Sequence, residues 1–138
     1  MRAVIEQVAP AAKLVVRLLY GSGLRLLEAL TLRVKDVDFA RGQLTIRDPK
    51  WKRDRTTMLP RAVTPDMHEQ LLSARLRHQE DLAEGWGRVW LPDALARKFP
   101  KAAADWKWQW IFPASARWRD REGNEGRHHL HERWCSGR

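Results

Sequence analysis

The scarcities of this sequence narrow its reading first. One cysteine, Cys135, excludes an internal disulfide framework and fits a reducing compartment. No run of 18 apolar residues occurs, so a transmembrane helix is not expected. The opening Met-Arg-Ala-Val-Ile-Glu-Gln has neither the apolar run nor the cleavage site of a secretory signal. These absences predict a cytoplasmic chain without membrane contact. His128, His129, His131 and Cys135 follow no common zinc-ligand spacing and no second cysteine pair exists, so no metal is expected, and no cofactor either. Internal repeats are absent.

Acidic residues are also in deficit. Against 26 lysines and arginines stand 17 aspartates and glutamates, a net charge of +9. Such a field favours a polyanion, because each neutralised phosphate releases condensed counterions. The basic residues are spread along the chain rather than gathered in a tail, and 138 residues with 43% hydrophobic content are enough for one domain with a core. Eight tryptophans are an excess, and five of them fall between Trp86 and Trp110. That clustering requires an explanation.

Val4, Val8, Ala11, Val15, Leu18 and Leu19 recur at helical spacing, predicting a helix over residues 2–20 with Pro10 as a kink or a delayed start. Gly21-Ser22-Gly23 breaks it, and Ser22 suits the N-cap of a second helix running to about Arg33. Val37 to Phe39, Gln43 to Arg47 and Arg55 to Leu59 read as strands of a small antiparallel sheet, with a polar loop over 48–54. Thr64 as cap, Pro65 and Asp66 open a long helix whose apolar stripe is Met67, Leu71, Leu72, Leu76 and Leu82. A short helix is expected within 91–100, a strand over 106–112, and a charged loop from Arg117 to Glu125.

Two blocks resemble the tyrosine recombinases of the phage-integrase family. Leu18-Leu19-Tyr20-Gly21-Ser22-Gly23-Leu24-Arg25-Leu26-Leu27-Glu28-Ala29-Leu30 is similar to the family's first box, in which a helix after Thr/Ser-Gly carries an arginine and, three positions on, an acid. Ile46 to Pro60 resembles the hairpin bearing the catalytic lysine, although Pro49 and Trp51 replace the two glycines of the usual Gly-Lys-Gly-x-Lys-Asp-Arg. A third block, residues 91–100, Trp106 to Pro113 and Arg127-His128-His129-Leu130-His131, resembles the insertion of integron integrases. The fold implied is α+β, a mainly helical catalytic domain with a small antiparallel sheet. Residues 1–138 would be part of it and 86–131 the insertion.

The resemblance implies DNA strand exchange through a covalent phosphotyrosine, without metal or ATP. Arg25 would then hold the phosphate, its planar fork placed where a helix start adds donors. Lys50 would protonate the leaving 5′ oxygen, with Lys52 and Arg53 as rivals for that role. Glu28 would orient Arg25. Residues 47–55 hold five basic and two acidic side chains, so Lys52, Arg53 and Arg55 are expected to grip DNA. Trp106, Trp108 and Trp110 would share one strand face, either as core or as a platform for unpaired bases. His128 and His129 resemble the histidine pair near such bases. The implied partners are folded single-stranded recombination sites and duplex sites, bound by the full-length family as a tetramer.

Tyr20 is the only tyrosine and precedes the arginine box, so it is not expected to be the nucleophile. The family's His-x-x-Arg box and its nucleophilic tyrosine do not follow His131. The expectation is a domain truncated at both ends and inactive by itself, with a non-catalytic DNA-binding remnant as the alternative. Deleting one G from GC-rich codons for Glu-Ala-Val-Val-Gln-Arg-Ala-Val yields Glu-Arg-Trp-Cys-Ser-Gly-Arg and a stop. That is residues 132–138, which suggests a frameshifted tail over 133–138.

Overall fold

The computed structural model describes the backbone of residues 2–48, 53–91, 93–119 and 125–129, and side chains within 11–47, 53–91, 94–114, 118 and 126–127. Helix α1 spans Arg2–Ser22 and continues through Pro10, so proline neither ends nor delays it. Ala11, Leu14, Val15 and Leu18 lie on one face by the 3.6-residue period, and all four are buried. Gly23, at φ 67°, takes the left-handed conformation that ends a helix cheaply only for glycine. Ser22 does not cap the next helix: its hydroxyl donates to Met58 O (2.8 Å), while the Thr57 hydroxyl donates to Ser22 O (2.8 Å). The end of α1 is thereby stitched to a strand.

Helix α2 is short, Leu26–Leu30, and stops well before Arg33. The expected longer helix loses to a tertiary pairing. Arg33 bridges Trp110 antiparallel, with Val34 N donating to Gln109 O (3.0 Å) and Ile111 N to Leu32 O (3.1 Å). Strands β1 (Val37–Asp38), β2 (Gln43–Asp48) and β3 (Arg53–Met58) form the expected antiparallel sheet in the order β1-β2-β3. Its apolar positions Leu44 and Ile46 enter the main core with Leu18, Leu30, Met67 and Phe112.

Helix α3 (Thr64–Ala83) has Pro65 in its first turn, as the sequence predicts, but Thr64 is not the cap: its hydroxyl donates to Pro60 O (3.3 Å). The buried face agrees only in part: Met67 is buried and Leu71 packs against the core as expected, but Ala74, His78 and Asp81 complete that face, whereas Leu72, Leu76 and Leu82 are exposed. Positions 67, 71, 74, 78 and 81 follow one helical face, on which the charged Asp81 is paired by Arg127. Helix α4 (Asp93–Lys98) lies within the expected span. Residues 106–112 are not a strand: Trp106–Trp108 form a 3₁₀ turn opened by Asp105, whose carboxylate accepts from Lys107 N (3.3 Å). The stretch from Arg117 to Glu125 is not wholly a loop, since it contributes to an antiparallel hairpin of β4 (Pro113–Arg119) and β5 (Glu125–His129). Among the described residues no helix is long and apolar enough to cross a membrane.

Candidate phosphate-binding site

Arg25 stands at the joint between α1 and α2 with extended backbone (φ −77°, ψ 153°), as the residue preceding the first turn of α2. Its own N–H donates to Glu28 Oε1 (2.8 Å), which satisfies one of the donors that a helix start leaves open. The Arg25 side chain is exposed. The local sequence explains the placement: Gly23 turns the chain, buried Leu24 anchors it, and Glu28 returns to close the turn.

Glu28 has a second and larger commitment. Its carboxylate accepts two bonds from the Arg55 guanidinium, Nη1 to Oε2 at 2.5 Å and Nη2 to Oε1 at 2.9 Å. Parallel bonds of this kind fix orientation as well as distance. The Arg55 bonds hold the Glu28 carboxyl below its ordinary pKa, against a smaller opposing effect of burial. Glu28 therefore contacts Arg25 through the backbone and ties it to β3. Residue 55 pairs with Ile46 in the register that runs up to Asp48 opposite Arg53, so the described ladder ends at the residues flanking 49–52. Lys50 and Lys52 lie outside the described residues. Arg53 is exposed at the start of β3. Arg25, Glu28 and Arg55 are thus brought together, at the base of the loop expected to carry the lysine.

The tryptophans separate into different environments. Trp110 is buried and its Nε1 donates to Arg127 O (3.2 Å), while Trp106 and Trp108 are half-buried on the 3₁₀ turn. Trp110 is core, not a shared platform with the other two. His128 and His129 lie in β5, with side chains outside the described residues.

Arg33 was not singled out by sequence and proves central. Its guanidinium is 4.0 Å from the Trp110 ring centroid and donates to Trp108 O (2.7 Å) and Trp90 O (2.6 Å). Burial pushes its pKa down to about 10. It fastens the segment after α3 to the end of α2. No local signal marks it, because its partners lie 57 and 75 residues away. Arg47 is similarly engaged, pairing with Asp36 (3.2 Å) and Asp54 (3.7 Å) across the sheet.

Residues 3–125 match the Phage integrase family. An "Integrase/recombinase" of Escherichia coli is 45% identical over 121 residues, covering 87% of this chain and 36% of the relative, and one of Pseudomonas aeruginosa matches to the same extent. A "Tyrosine recombinase XerA" of Pyrococcus furiosus is 39% identical over 59 residues, 43% of this chain and 21% of that protein. The chain spans about a third of the length of the curated integrase/recombinase relatives it matches.

Proposed function

The chain belongs to the phage integrase family, and on that premise we propose that it forms the phosphate-binding part of a DNA-recombining tyrosine recombinase of integron-integrase type. The observation carrying this reading is the placement of Arg25: exposed at a helix start, and locked through Glu28 and Arg55 to the strand that follows the 49–52 loop. In the reaction such a centre serves, a tyrosine hydroxyl attacks the phosphorus and the bond to the 5′ oxygen breaks. Arg25 neutralises the non-bridging oxygens as charge builds on them. Lys50 delivers the proton that the departing oxygen needs. Glu28 and Arg55 act as positioning residues, and Lys52 and Arg53 bind flanking phosphates.

The integron-type reading draws support from the length of the match. An alignment of 121 residues in a chain of 138 takes in most of segment 86–131, whereas one of 59 residues cannot cover both that segment and residues 18–60. On this reading the substrates include folded single-stranded sites as well as duplex, Trp106, Trp108, His128 and His129 lie toward the unpaired bases, and the working assembly is a tetramer on DNA. A second reading, DNA binding without cleavage by this chain, is favoured by one fact: Tyr20 on α1 is its only tyrosine.

The test is binding to a single-stranded hairpin with an extrahelical base, compared with duplex of equal length, across a salt series. Salt-sensitive binding that prefers the hairpin is expected. Equal binding to both would refute the integron-type reading, and no binding to either would refute the DNA reading altogether.

A further inference from the structure

The fixed cations of the described residues mostly meet carboxylates. Arg17 pairs with Asp66, Arg41 with Asp38, Arg47 with Asp36 and Asp54, Arg55 with Glu28, Lys107 with Asp105 and Arg127 with Asp81. Lys35 is held differently. Its ammonium lies 4.2 Å from the centroid of the Trp108 ring, and among the described residues no carboxylate pairs with it. The indole has Arg33 nearby as well, 5.8 Å from its centroid. An aromatic face attracts a cation without neutralising it. Among the described residues, Arg33 and Lys35 lie at this ring, Arg47 stands beside them, and the neighbouring carboxylates of Asp36 and Asp54 are both engaged by Arg47. One positive charge remains in excess, held in a defined place.

We infer that Lys35, seated on Trp108, is a contact for a DNA backbone phosphate at the seam between the three-stranded sheet and the tryptophan-rich segment. The inference rests on the DNA-binding reading above and extends it to a residue outside the arginine box and the lysine hairpin. A phosphodiester carries the single negative charge that would balance the excess. A lysine ordinarily explores many rotamers, and the ring confines this one before a ligand arrives, so less freedom is lost on binding. β2, which carries Arg47 in the same cluster, ends at Asp48, next in sequence to the segment expected to carry the lysine. The low pKa of Lys35, set by burial and then by Arg47, agrees with a cation crowded by like charge and ready to gain from an anion.

The experiment measures binding of the whole chain to duplex and to the hairpin across a salt series, with Lys35→Gln and Lys35→Arg beside the unaltered protein. The Gln variant is expected to melt at the same temperature, to bind more weakly to both DNAs by a similar factor, and to lower the slope of log affinity against log salt by about one. The Arg variant, still charged and able to stack, should retain the slope. An unchanged slope in Lys35→Gln, with the unaltered chain still binding, would overturn the Lys35 contact and leave the DNA reading standing. A slope lost equally in Lys35→Arg would overturn it as well. Failure of the unaltered chain to bind either DNA overturns both readings together.

Discussion

Neutralising Asp81 should loosen the β4–β5 hairpin from helix α3. The Arg127 guanidinium meets the Asp81 carboxylate through two bonds, Nε to Oδ2 at 2.5 Å and Nη2 to Oδ1 at 2.9 Å. The Asp81 side chain is only 5% exposed and that of Arg127 14%, so solvent does little to screen the pair. Removing one member of such a buried pair costs about 3–5 kcal/mol, because the counter-charge that compensates burial of the other is lost. Arg127 also donates to Ala114 O (3.2 Å), which retains part of its hydrogen bonding. Asp81→Asn is therefore placed at the lower end, ~3 kcal/mol, against a total of about 5–15 kcal/mol for a domain. The thermal midpoint should fall by roughly 10 °C. Urea unfolding followed by tryptophan fluorescence is a suitable assay, since Trp110 Nε1 donates to the Arg127 carbonyl. Arg127→Met should cost a similar amount, and the double variant less than the sum, with a coupling of at least about 2 kcal/mol. A cost below about 1 kcal/mol for Asp81→Asn, with no coupling, would refute the clamp.

Two further outcomes follow from the same structure. Because Arg55 holds the Glu28 carboxyl below its ordinary value of 4.5, their pair contributes stability that is complete above that value and is lost as pH falls through the lower folded one. With Arg55 half exposed the contribution is on the order of 1 kcal/mol, and urea midpoints from neutral pH to roughly pH 3 should fall less steeply in Arg55→Gln; identical slopes would count against the pair. Gly126→Ala should destabilise the hairpin by about 2–3 kcal/mol, since its Cβ would press into the Arg88 carbonyl oxygen and lie 2.6 Å from Trp118 Cζ2; a thermal midpoint equal to that of the unaltered chain would show that the hairpin gives way freely.

Much of the candidate site could be seen in the linear order of residues. Arg25 and Glu28 are three positions apart, so the turn that closes between them is local. Strand β2, which precedes 49–52, is marked by the alternation around Leu44 and Ile46, and Gly42 before it takes φ 62°. α1 and β2 followed for the same reason: one face of each is buried, and a periodic pattern records it. Alternation misled at Trp106, Trp108 and Trp110, where Asp105 opens a 3₁₀ turn and the three rings enter different surroundings. On α3 the expected stripe mixed two faces: Met67 and Leu71 meet the core, while Leu72 and Leu76 lie on the exposed side.

The sequence by itself determined what neighbours along the chain can settle: the helix and strand tendencies, the basic charge, and the blocks that mark the family. Only the tertiary structure decided that Glu28 closes on Arg55, that Arg33 gathers the carbonyls of Trp90 and Trp108, and that Asp81 is buried because Arg127 meets it. Those partners are 27, 57, 75 and 46 residues apart. Helical and strand periodicity report contacts over only a few residues. A charged group's choice of a distant partner depends instead on which surfaces pack together, since burial of an ion is stable only when its counter-charge or hydrogen-bonding groups are buried with it.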